Sequence, residues 1–200
     1  MKFEECWAPV ILDDGQCLIY GPRLGRLYLL GAAAAQDRSL LQLLGLAQDQ
    51  RHPGVLADLA ENIACDRANL KYLPLRTPTP AMRRAYRALH GARHLLNLRT
   101  LARWVARAAG TRPAQGLSIA DIGQRLHGLE KHADFGNCYP RALLSAYFCL
   151  REKLPCQLTV GVLAPTRKMH VWCTSAALLP YEPLPEHYLY QPLWRLAISP

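Results

Sequence analysis

Short apolar runs separated by turn residues occupy the first 30 residues of the chain. The three runs are Cys6–Leu12, Gln16–Tyr20 and Arg26–Leu30. Short apolar runs of this length are typical of β-strands, and the Asp-Gly and Gly-Pro pairs between them are typical of turns. The segment therefore predicts a small three-stranded meander.

Helical spacing follows these strands. It predicts helices over residues 32–46 and 53–63, the second opening with a proline that the first helical turn tolerates. Together with the meander they predict a miniature winged-helix unit over residues 1–75. Thr77-Pro78-Thr79-Pro80 then forms a stiff linker, because each proline biases the preceding residue toward extended conformations. We therefore expect a domain boundary between residues 75 and 76.

The second predicted domain, residues 76–200, begins with helices and ends with strands. Helical periodicity extends from Ala81 to Ala109 and, after an N-cap at Ser118, to about Lys131. A third helix over 142–153 precedes predicted strands at 157–163, 168–174 and 178–182. Four further prolines after Pro180 predict an ordered, irregular tail packed on the body. The fold class expected from these elements is α+β.

Composition restricts the class of protein. The chain has 200 residues, of which 50% are hydrophobic and 20% charged, a balance typical of globular proteins. The first residues include two acids where a signal peptide is basic, and no stretch approaches the roughly 20 apolar residues that cross a bilayer. We expect a cytoplasmic protein with no membrane partner, whose seven cysteines are mostly buried free thiols.

The net charge of +9 comes from one segment. Between residues 76 and 112 the chain has nine arginines and no acidic residue, and the rest of the chain is balanced. The simplest interpretation is a solvated helical face, since arginine stems also cover apolar surface. A docking surface for an acidic partner or a nucleotide is the alternative, because guanidinium pairs strongly with carboxylate and phosphate.

Cys138 is a candidate nucleophile because the flanking residues predict that it opens a helix. Asn137 is suited to the N-cap and Pro140 to the first turn. A helix N-terminus lowers a thiol pKa, and its unpaired amides can stabilise an oxyanion. A cysteine that opens an apolar helix is, however, more often a buried structural thiol.

His170 lies on a predicted strand after this helix. An imidazole there can pair with a thiolate and later protonate a leaving amine, while a third polar group orients the ring. Glu182 is the candidate third member, with Glu186 or a backbone carbonyl as alternatives. The order helix cysteine, strand histidine, strand carboxylate is typical of papain-like and transglutaminase-like enzymes. A histidine merely packed beside Trp172 is the simpler interpretation.

Three blocks of sequence resemble a known family. They are Asn137–Leu143, Leu158–Val162 and His170-Val171-Trp172. They resemble the transglutaminase-like leader peptidase of lasso peptide biosynthesis, whose pattern is Cys-x-x-Arg-Ser/Ala-Leu, a strand like Leu-Val-Ile-Gly-Val, and His-x-Trp. Residues 1–75 resemble, more loosely, the small winged-helix domain that recognises the precursor in this family.

The resemblance implies a cysteine peptidase that binds a ribosomal lasso precursor peptide and removes its leader. The released core would pass to a partner, an asparagine-synthetase-like lasso cyclase. Cys138 would form the acyl-enzyme and His170 would act as base. The family usually has an aspartate where Glu182 stands, so here the ring would be oriented from a longer arm.

The resemblance also bears on ligands. In the related recognition domains, the leader adds as a strand to the edge of the small sheet, which would bring it near Tyr28. No cofactor is evident from the residues. The family's activity has been linked with ATP, but the chain has no Gly-x-x-x-x-Gly-Lys-Ser/Thr loop, so the resemblance assigns no ATP site.

Two other classes of function remain alternatives. A nucleic-acid-binding adaptor without catalysis would combine the winged-helix-like segment with the arginines, but the predicted recognition helix over 53–63 has no basic residue. A metal site would draw on Cys149, Cys156, His170 and Cys173, which lack the Cys-x-x-Cys spacing of zinc sites. We therefore expect neither nucleic acid nor metal.

Overall fold

A computed structural model describes residues 1–46, 78–132, 137–164, 166–176, 180 and 189–200, with backbone alone at 130–132. The strands in these ranges are β1 (Lys2–Trp7), β2 (Val10–Ile11), β3 (Gln16–Gly21), β4 (Arg26–Gly31), β5 (Cys156–Leu163), β6 (Lys168–Thr174) and β7 (Gln191–Ser199). The α-helices in these ranges are α1 (Arg38–Leu44), α2 (Pro80–Ala92), α3 (Leu98–Gly110), α4 (Ile119–His132) and α5 (Cys138–Arg151). The protein is therefore α+β, as the sequence predicts.

The strands form two antiparallel sheets. One has the order β1-β7-β5-β6 and the other the order β2-β3-β4. The smaller sheet confirms the predicted meander, but the first predicted strand is divided between the two sheets. Pro9 has no N–H to donate to a ladder, and the chain changes sheet at this point. Ala8 is held by its own N–H, which donates to the carbonyl oxygen of Leu193 at 3.1 Å.

The prediction of an irregular C-terminal tail is wrong over Gln191–Ser199. This segment is β7, which lies between β1 and β5 in the larger sheet. Pro192 is tolerated because it lies opposite Gly161, where the pairing of β5 with β7 is interrupted by a register shift. After Pro192, the strand buries Leu193, Trp194, Leu196 and Ile198.

The predicted single helix from Ala81 to Ala109 is also wrong, because the chain breaks it into α2 and α3. The side chain of Asn97 accepts a hydrogen bond from the Thr100 N–H at 2.9 Å and so caps α3. Its amide also donates to the carbonyl oxygen of Arg23 at 3.2 Å. A cap with a tertiary partner thus outweighs the continuous apolar periodicity.

Other predicted helices agree more closely with the structure. The predicted cap at Ser118 is confirmed, since its hydroxyl accepts from the Asp121 N–H and the Asp121 carboxylate accepts from the Ser118 N–H, both at 3.1 Å. Helix 32–46 is shorter than predicted: a 3-10 turn at Ala34–Gln36 precedes α1, which Asp37 caps.

Two predicted elements lie outside the described residues: the helix over 53–63 and, apart from Pro180, the strand over 178–182. The boundary at residues 75 and 76 lies there as well, so the division into two domains stays a prediction. The pairing of β1 with β7 gives one constraint on it, since the first strand belongs to the sheet formed by the C-terminal strands.

One hydrophobic core connects the sheets and helices. Helix α3 presents fully buried Ala102, Ala106 and Ala109, small side chains that let it pack closely against α5. Tyr20 of the smaller sheet contacts Trp194 of the larger one, with ring centroids 5.8 Å apart. In the described part of the chain, no helix is long and apolar enough to span a membrane.

Candidate active site

Cys138 is the first residue of α5. The Asn137 side chain accepts a hydrogen bond from the Tyr139 N–H at 3.0 Å, which fixes the start of the helix. Pro140 lies in the first turn, where its missing N–H costs no helical hydrogen bond. The half-buried Cys138 thiol therefore lies at a helix N-terminus, as the capping residues predict.

His170 lies near the start of β6 and hydrogen-bonds Cys138. The imidazole is 4% exposed and contacts the Cys138 sulfur, which also accepts a hydrogen bond from the backbone N–H of Val171. Backbone N–H groups of a strand point in the plane of the sheet. The sulfur therefore lies beside the edge of β6 that faces away from β5. The fold thus brings together the two residues that the sequence singles out first.

The electrostatic surroundings favour the thiolate form of Cys138. Burial by itself raises the pKa of this thiol, but the hydrogen bond and charge of His170, the Val171 N–H and the Arg141 guanidinium together lower the pKa below its ordinary value. Opposite charge and hydrogen-bond donors both stabilise an anion at short range. A low pKa of this origin is one of the features that distinguish reactive cysteines from structural ones in proteins generally.

Arg141 is a buried cation one helical turn after Cys138. Its side chain is 5% exposed, and residues three apart on a helix lie on the same side. The sequence blocks include this arginine without giving it a role. The structure shows that its positive charge acts on the Cys138 sulfur.

Tyr86 is a neighbour of the site that sequence reasoning missed. It lies on α2, buried, and its hydroxyl oxygen accepts a hydrogen bond from the backbone N–H of Asn137. Burial raises its pKa. Helical spacing assigns Tyr86 to the apolar side of α2, and the one signal that could have distinguished it is that a buried tyrosine hydroxyl usually has a polar partner.

The imidazole of His170 packs against two aromatic rings. Its centroid lies 5.8 Å from that of Trp172, with 19° between the planes, and 5.1 Å from that of Tyr190, with 48° between the planes. The sequence does not predict Tyr190 near the site. Glu182 and Glu186, the predicted orienting carboxylates, lie outside the described residues, so the third position stays a prediction.

The residues of the alternative metal site do not form one cluster. The thiol of Cys173 hydrogen-bonds those of Cys149 and Cys156, and these contacts and burial raise its pKa well above the usual range. His170 projects from β6 on the opposite face from Cys173. The part of the chain that the structure describes contains no group of three or more potential ligands able to hold a metal ion. Its six described cysteines are free thiols.

The arginine-rich segment serves more than one purpose. Arg99 forms an ion pair with Glu5 and donates to the carbonyl oxygen of Gly45 at 2.8 Å, so it is structural. Arg103 lies over the Phe3 ring at 5.8 Å from the centroid. Arg84 and Arg87 on α2 are exposed to solvent. The exposed positions of Arg84 and Arg87 agree with the predicted solvated face and also with a docking surface for an acidic partner.

No protein-family model, curated protein or solved structure matches this chain.

Proposed function

We propose that the protein is a cysteine peptidase in which Cys138 is the nucleophile and His170 the general acid and base. The observation that carries this proposal is the hydrogen bond between the imidazole and a sulfur at a helix N-terminus. The thiolate is the nucleophilic form of cysteine, and a neighbouring imidazole together with a lowered pKa is the arrangement that activates it.

The reaction follows from the positions of these groups. The Cys138 thiolate attacks the scissile carbonyl carbon, a C–S bond forms, and the carbonyl electron pair moves to oxygen, where amides of the α5 N-terminus can stabilise it. His170 donates its proton to the leaving amine as the C–N bond breaks. It then takes a proton from the water that attacks the thioester, which releases the acid and regenerates the thiolate.

The proposed substrate is the leader of a ribosomal lasso precursor, by resemblance of the three sequence blocks. Residues 1–75 would form the winged-helix-like recognition domain and residues 76–200 the transglutaminase-like peptidase domain. In the described part of the small sheet, β4 is an edge strand with Leu29 39% exposed. An extended leader could add to β4 through backbone hydrogen bonds. The freed core would pass to the cyclase, and any dependence on ATP has no assigned site.

Mass-spectrometric cleavage of a candidate precursor tests this function. The native protein should release the leader, whereas Cys138→Ala and His170→Ala should lose cleavage by orders of magnitude. Cys6→Ala is the matched control, because Cys6 is another half-buried thiol, whose pKa burial raises. Equal cleavage by Cys138→Ala and native protein would overturn the proposal.

The third member of the site can be assigned by the same assay. Glu182→Gln and Glu186→Gln each remove one candidate carboxylate while conserving size. The orienting residue is the one whose change lowers turnover at saturating precursor, since loss of orientation acts on the chemical step. Unchanged turnover in both variants would leave a backbone carbonyl as the orienting group.

A nucleic-acid-binding adaptor is the second candidate, because exposed arginines on α2 and α3 accompany Trp104, which is 55% exposed. This function leaves the hydrogen-bonded Cys138 and His170 without a role. Phosphate neutralisation gives a steep decrease of duplex affinity with salt. Titration of duplex DNA over a range of salt concentrations should show no such slope if the protein is a peptidase.

A further inference from the structure

The indole of Trp172 occupies the space where a side chain of residue 161 would lie. Strands β5 and β6 pair with Gly161 directly opposite His170, and Trp172 projects on the same face as His170. A Cβ atom at residue 161 would lie 2.7 Å from Cη2 and 2.8 Å from Cζ3 of the Trp172 ring. The indole therefore extends along β6 and covers the bare backbone of β5.

Space, not backbone conformation, is the reason for glycine at this position. Gly161 is not among the glycines with positive φ, so another residue could adopt its backbone angles. The carbonyl oxygen of Gln191 would also lie 3.1 Å from an added Cβ, which closes the site from the side of β7. Even one methyl group must therefore displace the indole or separate the strands.

The indole is one of the two aromatic rings that the imidazole contacts, the other being the ring of Tyr190. The indole and the imidazole are nearly parallel, at 19°, with centroids 5.8 Å apart, and both side chains are buried. A flat contact of this kind restricts rotation of the imidazole about its Cβ–Cγ bond.

We propose that Trp172 and Gly161 are positioning residues for His170: the indole, seated over the bare backbone of Gly161, holds the imidazole toward the Cys138 sulfur. This rests on the Cys138–His170 pair of the proposed function. It assigns to Gly161, a residue of β5, a role in the reactivity of a thiol on α5.

Alkylation of Cys138 by iodoacetamide, followed by site-resolved mass spectrometry over a range of pH, tests the proposal without any substrate. At about pH 6 an ordinary thiol is almost fully protonated, so alkylation reports the His170-stabilised thiolate. Trp172→Leu and Gly161→Ala should each lower the alkylation rate of Cys138 at this pH several-fold. Each should also shift the acidic limb of the plot of alkylation rate against pH to higher pH. Trp172→Phe keeps a ring and should retain most of the rate.

Second-site rescue distinguishes this role from general damage to the fold. In Gly161→Ala/Trp172→Phe, the smaller ring leaves room for the methyl group, so the rate should rise from that of Gly161→Ala toward that of Trp172→Phe. Gly91→Ala is the matched glycine control, because an added Cβ there meets no atom within 4 Å, and it should behave as native. Circular dichroism confirms that each compared variant is folded.

The outcomes separate the two proposals. An ordinary thiol profile for Cys138 in the native protein would contradict the peptidase function itself. The positioning role alone would be overturned by a different result. In that case the native protein shows a thiolate at low pH, but Trp172→Leu and Gly161→Ala have the same pH dependence of Cys138 alkylation as the native protein. If Trp172→Leu does not fold, the comparison of Gly161→Ala with its Trp172→Phe double variant decides: no rescue overturns the positioning role, and rescue supports it.

Discussion

The backbone N–H of Val171 donates a hydrogen bond to the sulfur of Cys138. The residue before it, His170, contacts the same sulfur through its imidazole. Two consecutive residues of one strand therefore stabilise the thiolate, one through the main chain and one through a side chain. The relative position of β6 and the N-terminus of α5 thus sets both contacts that lower the pKa of the thiol, and changes in the packing of β6 should alter this pKa.

The lowered pKa of Cys138 predicts a pH-dependent contribution to folding. A group whose pKa is depressed in the folded state adds stability that is present above its unfolded pKa and is lost as pH falls through the folded pKa. The native protein should therefore gain free energy of unfolding relative to Cys138→Ala as pH rises between these two values. Urea unfolding of both proteins at a series of pH values measures this difference. A pH-independent difference would contradict the lowered pKa.

Removing the charge of Arg141 should raise the pKa of Cys138. Arg141→Gln removes a cation that stabilises the thiolate, so alkylation of Cys138 at about pH 7 should fall several-fold, and by less than in His170→Ala, because the imidazole acts more strongly on the sulfur. Arg141→Lys keeps the charge and should retain most of the reactivity.

Arg151→Gln is the matched control for this change. Arg151 ends the same helix, and its Nε donates to the carbonyl oxygen of Pro113 at 3.0 Å, far along α5 from the thiol. Its Cys138 alkylation profile should equal that of the native protein. Equal profiles for Arg141→Gln and Arg151→Gln would exclude an electrostatic role of Arg141.

Glu5 should stabilise the fold because it connects three elements. Its carboxylate pairs with Arg99 of α3 and accepts from the indole N–H of Trp194 of β7 at 3.3 Å. Within the described residues, the Nε of Arg99 is buried and has no hydrogen-bond partner, so Glu5→Ala leaves a partly buried guanidinium without its carboxylate. We expect a loss of about 1–3 kcal/mol in the free energy of unfolding.

Glu4 provides the control for Glu5, since it is the adjacent residue of β1 and is exposed. Glu4→Ala should change the free energy of unfolding by no more than about 0.5 kcal/mol, as surface changes usually do. Urea unfolding measures both. If Glu4→Ala and Glu5→Ala lower the free energy of unfolding by similar amounts, the ion pair of Glu5 with Arg99 contributes little to stability.

Features that depend on neighbouring residues could be predicted from the sequence. Asn137 and Pro140 identify the start of α5 because capping is a local interaction, and they correctly predict Cys138 at a helix N-terminus. The predicted bounds of β6, Lys168–Thr174, agree with the structure. They could be predicted because polar residues flank an apolar centre, which is also a pattern of neighbouring residues. His170 and Trp172 share a face by simple alternation.

Features that depend on distant pairing could not be predicted. Strand β7 is rich enough in apolar residues to be a strand, but its place between β1 and β5 depends on partners at both ends of the chain. The position of the Trp172 indole over Gly161 depends on the register between β5 and β6. The periodicity of the sequence does not predict this register. The position of Tyr86 near Asn137 depends in the same way on the packing of α2 against α5.

Intact-mass analysis after rapid quenching tests whether Cys138 forms a covalent acyl-enzyme with a precursor peptide. We expect a transient species whose mass exceeds that of the free protein by the leader fragment less one water, localised to Cys138 by peptide mapping. It should be absent from Cys138→Ala and present in Cys6→Ala. Leader release by Cys138→Ala at the native rate, with no adduct on the native protein, would exclude Cys138 as the nucleophile.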